Sequence, residues 1–110
     1  MNAQHKELAG WRWRQLPFVE QMANIGSEVE RSLNWKNKND AGRLKSAFER
    51  SLELIDLTLE DARNNARLKE LARMREAIVG YFTGDNQSGS TDASWRKYFM
   101  CFTYAARRDR

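Results

Sequence analysis

Apolar residues recur every three or four positions through almost the whole chain, and the single proline, Pro17, stands near its start. That period belongs to a helix with one buried face and does not fit the strict alternation of a half-buried strand. A chain patterned this way, and poor in breakers, is expected to fold as packed amphipathic helices. Its 110 residues suit one domain with one core. The first ten residues, MNAQHKELAG, have no apolar core of signal-peptide type and read as a loosely ordered tail or a short helical lead-in.

Caps and spacing divide the rest into four helices. The first is expected to open at Pro17, whose missing N–H would have no partner in a first turn. Phe18, Met22, Ile25, Val29 and Leu33 form its stripe, and it fades around Asn34, Trp35 and Lys36. Gly26 interrupts this helix at a cost of about 1 kcal/mol, which is tolerable where a second helix comes close. Asn39 or Asp40 offers a side-chain acceptor to begin the second helix. Its stripe is Leu44, Phe48, Leu52, Ile55 and Leu59, and it ends near Asp61, before a turn at Arg63, Asn64 and Asn65.

Leu68, Leu71, Ala72, Ile78, Val79 and Phe82 mark the third helix, which stops at Gly84 with a left-handed cap. After the loop GDNQSGST, Ser90 or Thr91 caps the fourth helix, and Asp92 suits the positive end of its dipole. Trp95, Tyr98, Phe99 and Phe102 share one face of that helix. Short connections favour antiparallel neighbours. The expected fold is therefore all-α: a four-helix bundle, mostly antiparallel, with an extended or short helical strap at its N-terminal side.

Few residue sets here could carry chemistry. Cys101 is the only cysteine, which excludes an internal disulfide and suits a reduced, cytoplasmic setting. No histidine lies near it in sequence, and no nucleophile elbow or phosphate-binding glycine loop occurs. Glu49, Glu53, Asp56 and Glu60 form an acidic stripe opposite the apolar face of the second helix. A metal-dependent nucleotide hydrolase would need a matching carboxylate pair on a facing helix, and Glu28 and Glu30 do not face the same way. No metal and no cofactor is expected, and no run is long and apolar enough to span a membrane.

Surface features point to binding instead. Met100 and Tyr104 fall on the far side of the fourth helix from its aromatic face, so they are the candidate self-association residues. Trp11, Arg12, Trp13 and Arg14 alternate, and in an extended strap both indoles would face one way. With Lys36, Lys38, Arg107, Arg108 and Arg110 they form the candidate nucleic-acid set, on a net charge of +4. Arg75 falls near the apolar face of the third helix, where a charge needs a partner; Glu28 is the expected one, as a buried ion pair.

The segments WRWR, IGSEVER and GDNQSGSTD, read together, resemble those of a family of short bacterial all-helical proteins. The resemblance covers Trp11 to Ala106 and implies an all-helical fold; no activity comes with it. In size, charge and helix count the chain is also similar to the basic helical bundles linked to ribosomal intervening sequences and diversity-generating retroelements, a likeness of architecture alone. The leading expectation is a non-enzymatic, dimeric interaction protein that also binds an unidentified protein partner. An RNA- or DNA-binding accessory protein is the alternative, and a metal-dependent nucleotide hydrolase on a helical scaffold stands a distant third.

Overall fold

Several helix boundaries fall at residues whose chemistry sets them. The computed structural model describes residues 10–108, with α1 at Phe18–Asn37, α2 at Ala41–Glu60, a 3-10 helix at Ala62–Arg67, α3 at Leu68–Thr83 and α4 at Asp92–Arg108. The expected tail lies outside the described residues except for Gly10, which is buried in a helical turn at 10–13. Pro17 stands one residue before α1, and its carbonyl accepts from the N–H groups of Glu20 and Gln21.

Asn39, at φ 57°, turns the chain, and Asp40 then accepts the Arg43 N–H at 3.0 Å to cap α2. Gly84, at φ 99°, ends α3 in the left-handed conformation that glycine adopts without strain. Thr91 and Ser94 cap α4 reciprocally, each side-chain oxygen accepting the other's backbone N–H at 3.0 and 2.9 Å. The result is an all-α helical bundle, with no strand among the described residues.

α1 lies between α2 and α4 and packs along both. Met22, Ile25, Val29 and Leu33 are buried, so the stripe read from the sequence is the bundle's centre. At Gly26 α4 comes close: a Cβ there would sit 2.8 Å from Phe99 Cβ. Tyr81 of α3 and Trp95 of α4 meet edge to face, with ring centroids 6.5 Å apart.

α2 departs from the expected stripe. Its buried residues are Ala47, Ser51, Leu54, Ile55 and Thr58, while Leu44, Phe48, Leu52 and Leu59 are half-buried. The reason is that α2 packs against α1 and α3 and needs two contact faces. Ser51 and Thr58 can be buried because their hydroxyls donate to carbonyls of their own helix, at 2.6 and 2.8 Å.

The same packing order corrects the expected Arg75–Glu28 pair. α3 packs on α2, so Arg75 Nε donates to Asp56 Oδ1 at 2.8 Å, and Glu28 accepts from Arg31 at 3.2 Å. Arg75 is not in the core; Leu71, Met74 and Ile78 are. With both side chains well solvated, the Arg75–Asp56 pair contributes at most about 1 kcal/mol.

The strap is helical, and that separates the two tryptophans. At about 100° per residue, positions 11 and 13 point to nearly opposite sides. Trp13 is buried and donates from Nε1 to Thr58 Oγ1 at 2.8 Å, whereas Trp11 is 57% exposed. Behind Trp13 lies a buried polar cluster. Gln21 Nε2 donates to the Trp13 carbonyl and to Asp61 Oδ2, both at 3.0 Å. Asn64 Nδ2 donates to Gln21 Oε1 and to the Thr58 carbonyl.

Gly26→Ala separates two opposing effects. Helix propensity favours alanine by about 1 kcal/mol, but overpacking against Phe99 costs about 1–3 kcal/mol. Phe99 Cβ is tied to its backbone and cannot swing away, so the clash is expected to prevail. The denaturant midpoint should fall in Gly26→Ala with an unchanged slope; a rise would mean that α1 and α4 separate without loss.

Candidate functional site

The outward face of α4 is the most distinctive exposed surface. Met100 and Tyr104, one turn apart, are 63% and 66% exposed, as their positions on the wheel predict. Around them stand Ala93, Arg96, Lys97, Cys101, Arg107 and Arg108, all exposed. The only carboxylate on α4, Asp92, points elsewhere, into contact with Lys36. The outward face is thus an apolar centre between two pairs of cations.

Beside it runs a groove of 510 Å³ between α1 and α4, whose lining includes Gly26, Glu30, Arg31, Trp95, Phe99 and Met100. Arg96 closes one wall by pairing with Glu30 at 3.0 Å. Trp95 is buried, and its Nε1–H has no hydrogen-bond partner among the described residues. Cys101 is exposed, with its thiol directed at the Tyr98 carbonyl at 3.2 Å.

The expected nucleic-acid set does not form one surface. Trp13 is buried and hydrogen-bonded, so it cannot stack on a base. Lys36 is engaged: its Nζ donates to Asp92 Oδ1 at 2.6 Å and to the Tyr81 hydroxyl at 2.9 Å, and Tyr81 also donates to Asp92. Lys38 lies over the Trp35 ring, 5.2 Å from its centroid. Both lysines belong to the C-terminal end of α1, about 30 Å from its start. Arg110 lies outside the described residues.

Trp11, Arg12, Arg14, Arg107 and Arg108 remain at the opposite end and are exposed. Arg63, expected only as a turn residue, and Arg67, which no sequence feature singled out, join them. Arg63 donates to the Leu16 carbonyl at 2.8 Å, and Arg67 lies over Phe18, 4.3 Å from its centroid. Phe18 in turn meets Phe102 near the end of α4, with centroids 6.0 Å apart. Only the fold brings these segments together; the one local hint was the spacing of four between Arg63 and Arg67.

The acidic stripe is a solvated surface with local partners. Glu49 pairs with Lys45 and Glu53 with Arg50, while Asp56 holds Arg75 and Glu60 is exposed. Among the described residues no group of three or more His, Cys, Asp or Glu side chains could hold a metal ion. The loop before α4 is explained by turn chemistry, with Asn86 Oδ1 accepting the Ser90 N–H at 2.9 Å. No described helix is long and apolar enough to cross a membrane.

No family model, no curated protein and no solved structure matches the chain. Its own geometry is therefore the basis for a functional reading.

Two carboxylates are perturbed. The Arg63 guanidinium outweighs burial and holds Asp61 well below the ordinary carboxylate range. Burial would raise Asp92, but hydrogen bonds from Lys36, Tyr81 and Asn37 prevail and bring it down to about 2. A depressed folded-state pKa stabilises fully above the unfolded value and is lost as pH falls through the folded one. Stability should therefore decline from about pH 4 toward about pH 2. Asp92→Asn should be less stable at neutral pH and lose part of that acid dependence. Denaturant midpoints across this range provide the check, and parallel curves for both proteins would remove Asp92 as a cause.

Proposed function

We propose that this chain is a non-enzymatic interaction protein that pairs with a second copy of itself through the outward face of α4 and presents the resulting dimer to a protein partner. The supporting observation is the exposure of Met100 and Tyr104 at the centre of a face without exposed carboxylates. Methionine, tyrosine and arginine are enriched at interface cores, and acidic residues are depleted there. The single cysteine suits a reduced, cytoplasmic setting for this role.

Size sets a limit on the pairing. A 17-residue helix is about 25 Å long and offers a face about 10 Å wide. That is roughly 250 Å², against about 800 Å² per partner in a standard interface. The pair must therefore also take in the α1 wall of the groove, around Ser27 and Arg31.

Charge gives the pairing a signature. An antiparallel pair centred between Met100 and Tyr104 sets Lys97 against the partner's Arg107. Exposed like charges oppose association by a few tenths to about 1 kcal/mol each, while burying a large apolar side chain contributes about 1.5–3 kcal/mol. Apolar contact dominates once salt screens the cations. Light scattering after size exclusion should find more dimer at about 0.5 M salt than at about 0.05 M. Tyr104→Asp should be monomeric at both. A wild-type chain that stays monomeric at every salt and protein concentration would overturn the reading.

A further inference from the structure

The charge of this molecule is concentrated at one end. The segments 10–21, 57–71 and 102–108 meet there, joined by the Trp13–Thr58 hydrogen bond, the Arg63–Leu16 hydrogen bond and the Phe18–Phe102 ring contact. They carry seven cations, Arg12, Arg14, Arg63, Arg67, Lys69, Arg107 and Arg108, against four carboxylates, Glu20, Glu60, Asp61 and Glu70. The rest of the described chain is almost balanced, with ten cations against nine carboxylates. Three of the four net positive charges thus sit at this end.

The cations there are also the least neutralised. Arg12, Arg14, Arg67 and Arg107 take part in no ion pair among the described residues. At the opposite end, Lys36 and Arg43 each have an aspartate within 4 Å. Arg67 lies over the Phe18 ring, 4.3 Å from its centroid, a contact that leaves guanidinium N–H groups able to meet an oxyanion. Next to these cations Trp11 holds a large indole 57% exposed on a strap that its neighbour Trp13 anchors. An exposed indole among unpaired arginines matches the chemistry of an unpaired base on a phosphodiester chain.

We propose that this end of the bundle binds single-stranded nucleic acid, with Trp11 stacking on a base and Arg12, Arg14, Arg67 and Arg107 meeting phosphates. A duplex offers no unstacked base to the indole, so it binds more weakly. The strap residues Trp11, Arg12 and Arg14 lie outside the α4 face that carries Met100 and Tyr104, and Arg107 alone belongs to both surfaces.

The test is fluorescence anisotropy with a labelled oligothymidylate of about ten nucleotides, using the full chain and a salt series. Binding should weaken steeply with salt. Trp11→Ala should lower affinity about tenfold or more, given typical losses per stacked base. Arg12→Ala/Arg14→Ala should flatten the slope of log affinity against log salt by about 1.4, at about 0.7 per phosphate contact on a single strand. Lys38→Ala, at the far end, should change little. All these side chains are exposed, and circular dichroism confirms that each variant is folded. Three outcomes overturn the proposal: no binding at low salt, equal affinity for the duplex with an unchanged Trp11→Ala, or binding to anionic phospholipid vesicles but not to the oligonucleotide. Light scattering of the same variants reports the dimer separately, so the two readings fail independently.

Discussion

A carboxylate enclosed by protein is costly unless every lone pair finds a donor, and Asp61 at the end of α2 is buried in this way. Arg63, two residues on, supplies two guanidinium nitrogens, Nε and Nη2, and a backbone N–H, and Gln21 of α1 supplies another donor. Gln21 has little choice of position, since its amide also serves the Trp13 carbonyl and the Asn64 side chain. Four pieces of chain are therefore fixed against one another at one point: the strap, held also through Arg63 at its Leu16 carbonyl, the start of α1, the end of α2 and the 3-10 helix. Such a cluster adds less stability than the same volume of apolar packing would; what it supplies is a unique arrangement.

That arrangement determines which cations become neighbours. The 3-10 helix sets Arg67 over Phe18, and Phe18 lies against the last turns of α4. The strap is held where Trp13 meets Thr58, so Arg12 and Arg14 project at the same end. The polar cluster adds to the buried Trp13 indole in fixing the strap, and so the cations of this end keep their geometry. The far end is built differently. There Lys36, Tyr81 and Asp92 join α1, α3 and α4 through groups that satisfy one another, leaving little charge to offer a ligand.

What the sequence reveals and what it hides divide along a physical line. Asp40, Gly84 and Thr91 act through their own backbone neighbourhood, so the boundaries they set are legible from a few residues. Gly26 is legible too, because a glycine inside good helix formers needs a reason, and Phe99 provides it. Met100 and Tyr104 follow from the wheel of α4 alone. Gln21, Thr58, Asp61 and Asn64 were not legible, since isolated polar residues near helix ends look like caps and turns. Their burial depends on partners 40 or more residues away for Gln21, and 45 for Thr58. Arg75 was assigned the wrong acid for the same reason: nothing in one helix's periodicity says which neighbour its flank will meet.

The two proposed surfaces meet on α4, and that has an energetic consequence. Arg107 belongs to the cationic rim that opposes pairing of two α4 faces and also to the end that attracts phosphate. An anion that neutralises it removes part of the repulsion between copies, so strand binding and pairing favour each other at that residue. By linkage, whatever factor one adds to the other is returned in equal measure. The coupling is small, because one exposed charge contributes no more than about 1 kcal/mol. Its sign follows from the charges of α4 itself: among its described residues Asp92 is the one carboxylate and points to Lys36, so at Arg107 the charge that phosphate neutralises is positive and its neutralisation relieves the rim.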